Sequence, residues 1–402
     1  MEENFFSIII PTRERSLTLP HTILSVLKQD YYNFELIISD NFSSDNTKNV
    51  VENFKDERIK YLNTGCRVSM SDNWEFALNN FNGDWVTILG DDDALMPNAL
   101  SKVNVLINLN KNIEAIRSET CYYFYPGVNN QPYGKLGVPL YKSEYEIRNS
   151  QVWLNKVLSG EVNYTELPVL YNGGFISKKL INKSKQFSTK LINSCIPDVY
   201  SSMIFSHLIN EYLFSFEAFA INGASLKSNG MSQFEKNTLD NNSPIKQFQL
   251  ENNIPFNERI PLYNDGRYPQ SILAFVYESY LNCIKILNIK SEISFYSQIQ
   301  NIILFNYKKD PFFLEWIKKY SEINNVNFLK MYPISLLKKY LLFQKRINIK
   351  MQNFGKYFEI GDDFFPINNV FEASIISNLI HQISKSNYKN LLKFIIKKNR
   401  IK

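Results

Sequence analysis

Three consecutive carboxylates, Asp91-Asp92-Asp93, follow the run Trp85-Val86-Thr87-Ile88-Leu89 across a single glycine, Gly90. Like charges this close repel and raise one another's pKa. A divalent cation among them resolves that conflict. Oxygen-only ligands suit Mg2+ or Mn2+, and Mg2+ typically takes one or two carboxylates together with substrate phosphates. The same run can equally be a solvated acidic turn ahead of the next helix, because Asp is common near helix N-termini. A further carboxylate, Asp40, closes the run Leu36-Ile37-Ile38-Ser39. There it can accept from a base N–H or a ribose hydroxyl, or serve as a turn residue beside Asn41, Ser43 and Ser44. Neither a GxGxxG loop nor a P-loop occurs, so phosphate would have to be held by a metal and side chains.

These carboxylates need elements that bring them to one edge. Phe6 to Ile10 is a short apolar run stopped by Pro11, and it reads as a buried strand,. Leu19, Ile23, Leu24 and Leu27 recur at helical spacing. Phe34 to Ser39, Ile59 to Leu62, Trp85 to Leu89 and Ala115 to Tyr123 read as strands, with helices over Thr47 to Phe54, Asp72 to Asn80 and from Pro97 toward Leu109,. This β-α-β spacing predicts a mainly parallel sheet flanked by helices. In such sheets ligands sit at the carboxyl ends of the strands. Thr12, Asp40 and Asp91 to Asp93 all fall at such ends. Pro126 to Tyr141, rich in Gly, Pro and Asn, predicts a long surface loop. Strands are predicted at Leu167 to Ile176 and Tyr212 to Ile221, with a helix at Val199 to Ile209 between them. Beyond Asn229, Asn-rich segments alternate with apolar helical stretches. The boundary is placed within Phe234 to Asn253, giving an α/β domain over 1–233 and a mostly helical C-terminal domain over 254–402.

The 402 residues, 44% hydrophobic, are enough to bury a full-sized core,. The net charge is +6. The stretch 331–402 holds thirteen basic residues against four acidic ones, so it carries +9 and the rest is mildly acidic. That distribution points to an anionic partner at one end and excludes a nucleic-acid binder throughout. Cys66, Cys121, Cys195 and Cys283 are too far apart for a CxxC pair, which argues against a zinc ribbon or a disulfide scaffold and fits a reducing cytoplasm,. Three histidines leave little room for His-rich metal chemistry. The acidic start Met-Glu-Glu-Asn is not the pattern of a signal peptide. No run of about 20 apolar residues is present to span a membrane.

Taken together, several segments resemble family 2 glycosyltransferases. Ser7-Ile8-Ile9-Ile10-Pro11-Thr12-Arg13 is similar to the family's opening, and Ile23-Leu24-Ser25-Val26-Leu27-Lys28-Gln29 to its first helix. Glu35 to Thr47 resembles the second-strand motif. Gly83-Asp84-Trp85-Val86, then Leu89-Gly90-Asp91-Asp92-Asp93, resembles the approach to the metal-binding DXD motif. The resemblance covers roughly the first 230 residues. It implies a GT-A (Rossmann-like) α/β fold, an inverting mechanism and a nucleotide-diphosphate sugar donor, UDP-linked by first expectation. Carried over by position, it implies that Pro11, Thr12 and Arg13 line the nucleotide pocket with Asn73 beside them, that Asp40 holds the base, and that Asp91 and Asp92 serve ribose and metal. Asp92 and Asp93 are the implied ligands of Mn2+ or Mg2+. Two departures stand out. Gly90 sits where many members have Asp. Ser71-Asp72-Asn73-Trp74 lacks an Arg that many members carry before the Asn, a place Arg67 could fill.

An inverting transfer needs a carboxylate to deprotonate the acceptor hydroxyl. Asp198, in Ile196-Pro197-Asp198-Val199-Tyr200, resembles the family's acid at the start of a later helix, and Glu166 is the second candidate. An N-cap role for Asp198 is the competing reading. Tyr171-Asn172-Gly173-Gly174-Phe175 either borders the acceptor or is a bulged strand. His207 reads as a core or surface histidine. The Gln/Arg-x-x-Arg-Trp motif of processive synthases is absent, which fits single addition to a glycan or lipid-linked acceptor in bacterial surface polysaccharide synthesis. Lys385, Lys389, Lys393 and Lys397 recur every four residues beside an apolar stripe. They make a helix for peripheral contact with an anionic inner membrane face, or a packed helix with a solvated basic edge. The alternatives to a transferase are a nucleotidyltransferase and a non-catalytic sugar-nucleotide-binding scaffold.

Overall fold

The computed structural model describes residues 2–128, 133–140, 144–226, 244–305, 312–339, 357–361 and 366–399, with the side chains of 244–246 and 386–399 left aside. Its first half is built from apolar strands that alternate with short helices. The strands are β1 (Phe6–Thr12), β2 (Phe34–Asp40), β3 (Ile59–Asn63) and β4 (Trp85–Ile88). The helices between them are α1 (Leu19–Leu27), α2 (Thr47–Glu52) and α3 (Met70–Leu78). All three pairings in the order β3-β2-β1-β4 are parallel. The register sets Thr12 opposite Asp40 and Ile9 opposite Ile88, so the polar strand ends line one edge.

The continuous apolar runs follow from burial on both faces. Ile9, Ile37, Val86 and Ile88 enter one core, while Ile8, Ile10, Leu36, Ile38 and Leu89 enter the other,.

The second half of the sheet is mixed, where the sequence predicted a mainly parallel one. After β5 (Ala94–Leu95) and α4 (Ala99–Leu109) come β6 (Ala115–Phe124), β7 (Lys135–Pro139), β8 (Tyr145–Asn149) and α5 (Ser150–Leu158). A single 3-10 turn, Tyr164–Glu166, precedes β9 (Gly174–Ser177), α6 (Lys178–Ser184), α7 (Pro197–Leu208) and β10 (Glu211–Ala224). β9 lies antiparallel between β4 and β6, and β10 runs parallel to β6 and antiparallel to β5 and β8. The loop predicted at Pro126 to Tyr141 contains β7, whose Leu136 and Val138 are fully buried. The strand predicted over Leu167 to Ile176 is irregular up to Gly174.

The C-terminal part is mainly helical: α8 (Pro244–Glu251), α9 (Ile272–Ile286), α10 (Phe295–Phe305), α11 (Phe313–Ile323) and α12 (Val370–Asn399), with one strand, β11 (Tyr357–Ile360). The boundary expected within Phe234 to Asn253 falls largely outside the described residues. On either side of it the chain shares one core: Tyr277, Ile302 and Trp316 pack in the same cluster as Trp74, Val199 and Met203. β11 extends the sheet beyond β7. Among the described residues no helix is long and apolar enough to cross a membrane. All four cysteines are free thiols, and only Cys66 is exposed.

Candidate active site

Asp91, Asp92 and Asp93 are 8%, 6% and 0% exposed, so the run is a buried cluster and no solvated turn. The three carboxylates have different surroundings. Asp93 Oδ1 accepts from the Gly223 amide at 2.7 Å. Its Oδ2 accepts from the Gly90 amide and from the Tyr171 hydroxyl, both at 2.7 Å. Burial and the adjacent Asp92 charge push this carboxyl up to about 8. Asp92 Oδ2 accepts from the Ser225 hydroxyl at 2.6 Å and the Ser225 amide at 3.2 Å. Asp91 faces the end of β1. The Arg15 guanidinium is 3.3 Å from its Oδ1, and the Arg13 amide reaches its Oδ2 at 3.4 Å. Burial raises the Asp91 carboxyl to about 6, against the pull of Arg15. The end of β10, supplying Gly223 and Ser225, therefore clasps the run from one side.

Asp40 is buried at the end of β2. Its Oδ2 accepts from the Tyr61 hydroxyl at 2.5 Å and the Asn63 amide at 3.3 Å, and its Oδ1 accepts from the Ser43 backbone amide at 3.0 Å. Thr12 stands opposite it in the β1–β2 register, with its hydroxyl beside Asp91. Pro11 is half-buried on the same strand. The Arg13 side chain pairs with Glu251 on α8. Asn73 is turned inward: its side-chain oxygen accepts from the Ser39 hydroxyl at 2.7 Å, and its NH2 donates to the Ser39 carbonyl at 3.1 Å. It ties α3 to β2. Arg67 pairs with Glu14 at 2.9 Å.

Asp198 occupies the first turn of α7, one residue past Pro197, while the N-cap position belongs to Ile196. The expected N-cap position is thus not its own, although its carboxylate still draws on the first-turn amides of Asp198 and Val199. Its Oδ2 accepts from the Tyr164 hydroxyl at 2.6 Å, and burial raises its carboxyl above the ordinary carboxylate range. The same irregular loop carries Tyr171, whose hydroxyl bonds Asp93 and whose ring lies 5.8 Å from that of Trp74. The charges of Asp93, Asp92 and Asp198 all act on Tyr171. Glu166 is engaged elsewhere, with the Arg148 guanidinium at 2.9 Å. His207 stacks on Tyr280 at 5.9 Å, and burial lowers it to about 4.

Residues 7–113 match the model of "Glycosyl transferase family 2". This segment is a family 2 glycosyltransferase segment. A Campylobacter jejuni protein named GalNAc(5)-diNAcBac-PP-undecaprenol beta-1,3-glucosyltransferase is 43% identical over 98 residues, which is 24% of this chain and 32% of the relative. The Escherichia coli protein WfgD, named UDP-Glc:alpha-D-GlcNAc-diphosphoundecaprenol beta-1,3-glucosyltransferase, is 35% identical over 113 residues, 28% of this chain and 44% of its own length. The matches thus span less than half of either relative. Staphylococcus aureus TarS 1-349, solved in complex with UDP-GlcNAc, superposes with a TM-score of 0.44 at 16% identity, covering 80% of this chain and 89% of that one.

The family 2 segment carries Thr12, Asp40 and Asp91 to Asp93, and Asp198 lies outside it. The donor set can be weighed against a divalent ion on this geometry. Among the described residues no group of three or more His, Cys, Asp or Glu side chains converges as a metal shell. Asp93, expected as a ligand, has both oxygens occupied by three donors, an arrangement better suited to holding the turn together. Asp92 with Asp91 beside it meets the one-or-two-carboxylate pattern that substrate phosphates complete. Gly90 has its own reason. A Cβ there would lie 2.7 Å from Asp93 Oδ2 and 2.8 Å from the Tyr171 hydroxyl, so those two groups fill the space where many family 2 members carry an Asp side chain. Sequence reading missed Arg15, Ser225 and Tyr164. Arg15 lies two residues from the Pro11-Thr12-Arg13 strand end and was within reach. Ser225 and Tyr164 carry no local signal, because only the closing of the sheet brings them in.

Proposed function

We propose that this chain transfers a sugar, with inversion, from a nucleotide-diphosphate sugar to a hydroxyl of a lipid-linked glycan, with UDP-glucose the first donor to test. The observation that carries this reading is the 164–172 loop, whose Tyr171 hydroxyl bonds Asp93 of the family 2 segment at 2.7 Å and whose Tyr164 hydroxyl bonds Asp198 from outside it at 2.6 Å. In-line displacement needs those two halves: charge control at the leaving diphosphate and a separate base for the acceptor. The two bacterial relatives are both named as β-1,3-glucosyltransferases acting on undecaprenol diphosphate-linked acceptors. UDP-glucose is an α-glycoside, so a β product requires inversion, which a single displacement with one base delivers.

In this reading Asp198 takes the proton of the acceptor hydroxyl as that oxygen bonds the anomeric carbon. The bond from that carbon to the diphosphate breaks, and its electron pair leaves with UDP. The raised carboxyl makes Asp198 a stronger base, and Tyr164 fixes its direction,. Thr12, Pro11 and Asp40 receive the nucleoside, and Arg13 and Arg15 stand where the diphosphate would need positive charge,. A divalent ion held by Asp92 and the donor's own diphosphate oxygens would add charge to the leaving group. The place of work is the cytoplasmic membrane face, which the basic 331–402 stretch favours through attraction to anionic lipid,.

The test is UDP release from UDP-glucose with Mn2+ and a short-chain α-GlcNAc-diphosphate lipid. Asp198→Asn is expected to lose roughly 10²- to 10⁴-fold in turnover while UDP still binds. Turnover left intact by that change removes Asp198 as the base.

A further inference from the structure

Arg117 lies on β6 and is 4% exposed. Its guanidinium donates to three backbone carbonyls of one loop: Nε to Thr165 at 2.5 Å, and one terminal nitrogen to Tyr171 at 3.2 Å and to Asn172 at 2.7 Å. A buried cation bonded to carbonyls is costly, and one with no other use would readily be replaced by an apolar side chain. What sets this loop apart is its cargo. It runs from Tyr164, whose hydroxyl holds Asp198, to Tyr171, whose hydroxyl holds Asp93. The Asn172 amide donates to the carbonyl of Ile88 at 2.8 Å, on the last residue of β4 before the acidic run. The positive charge of Arg117 also acts on the Tyr164 hydroxyl.

We propose that Arg117 is a positioning residue: its three-point fork fixes the 164–172 loop and thereby sets Asp198 against the donor-side carboxylates. The proposal rests on Asp198 being the base. A planar fork reaching carbonyls at both ends of the loop is something Lys cannot reproduce, because it offers one compact head. Among the described residues, the loop's hydrogen bond to the Asp91–Asp93 run is that of Tyr171 to Asp93, while Asn172 holds backbone and side chain of neighbouring strands at Ile88 and Asn222. Disturbing it should therefore misplace the base and leave nucleotide binding intact. Near-attack geometry is sensitive enough that a shift of about 1 Å costs about 10²-fold in rate.

The experiment compares wild type, Arg117→Gln, Arg117→Lys, Tyr164→Phe, the Arg117→Gln/Tyr164→Phe pair and Asp198→Asn. Kinetics use UDP-glucose, Mn2+ and the α-GlcNAc-diphosphate lipid, UDP affinity is measured by calorimetry, and melting confirms folding. Arg117→Gln is expected to lose at least 10-fold in kcat with UDP affinity within 3-fold of wild type. The pair should be no slower than its slower single variant, because both changes act through one contact. Arg117→Lys decides the matter where Arg117→Gln does not fold, and it too should lose kcat selectively. Folded Arg117 variants with kcat within 2-fold of wild type overturn the proposal, as does UDP affinity falling in step with kcat. Asp198→Asn with full turnover removes the base reading and the proposal with it. Asp198→Asn inactive beside active Arg117 variants sinks the Arg117 proposal alone.

Discussion

Three adjacent aspartates that look equivalent in the sequence have three different settings in the fold. Asp91 is paired with Arg15, Asp92 is held by Ser225, and Asp93 is saturated by Gly223, Gly90 and Tyr171. Asp93→Ala would leave two buried amides and a hydroxyl without their acceptor, at about 1–3 kcal/mol for each unsatisfied group. We expect a melting temperature lowered by several degrees, read by calorimetry. Asp92→Ala, which strands only the Ser225 amide and hydroxyl among the described donors, should melt less far below wild type than Asp93→Ala and lose the Mn2+ dependence of UDP binding, read by titration calorimetry. If Asp92→Ala melts lower than Asp93→Ala, the assignment of structural and functional roles is reversed. Gly90→Ala places a methyl within 2.7 Å of Asp93 Oδ2, where overpacking costs about 1–3 kcal/mol,. Its melting temperature should fall, and Tyr171→Phe in the same chain should recover part of the loss by removing the hydroxyl 2.8 Å away. Asp40 and the Asp run were legible in the sequence because an apolar strand stopped short at a carboxylate. Their individual roles were not, because Ser225 and Tyr171 stand 133 and 78 positions from the aspartates they hold.

At the scale of elements, α9 meets the segment leading into α7 through one buried carboxylate. Glu278 is 0% exposed. It accepts from the Ser194 hydroxyl at 2.6 Å, the Asn282 amide at 2.6 Å and the Asn257 backbone amide at 3.2 Å. Burial pushes it up from 4.5 to about 7. A carboxyl raised in the folded state favours folding fully below its unfolded value, and that contribution is lost as pH rises through the folded value. Stability should therefore fall between about pH 4.5 and 7 on account of this group. Glu278→Gln keeps two acceptor bonds and cannot ionise, so its melting temperature should exceed wild type at pH 8 and match it near pH 4.5. Identical pH profiles for both proteins would show that Glu278 does not titrate in this range. The strands at β1, β2, β4 and β10 were legible from their apolar runs, whereas β7 was not. Gly and Pro around it signal a loop, yet Gly137 pairs with Tyr122 across β6, and a Cβ there would lie 2.1 Å from the tyrosine ring. The aromatic ring lies over the glycine and supplies the packing that local propensity lacks.

The whole molecule draws its C-terminal part into the sheet. β11 pairs with β7, the Tyr123 hydroxyl donates to the Ile367 carbonyl at 2.7 Å, and Val370 and Ala373 of α12 are buried in the core that holds Leu19 and Ile23 of α1. Lys385 reaches Glu217 on β10 at 2.6 Å, the last described anchor of that helix. Composition could show a helical, basic end, but not that it would cover the sheet, since that depends on which core face α1 leaves open. Two truncations separate packing from surface charge. A chain ending at 356 loses β11 and α12, and with them the packing against α1 and the acceptor of the Tyr123 hydroxyl, so it should be insoluble or melt far below wild type. A chain ending at 386 keeps Lys385 on Glu217 and loses six basic residues, Lys389, Lys393, Lys397, Lys398, Arg400 and Lys402, and no acid, so the net basic excess of the stretch falls without touching the described core. It should melt near wild type yet sediment poorly with phosphatidylserine vesicles, because each basic residue near such a surface contributes about 1 kcal/mol. Unchanged sedimentation would assign the tail to packing and remove membrane docking from the proposed function.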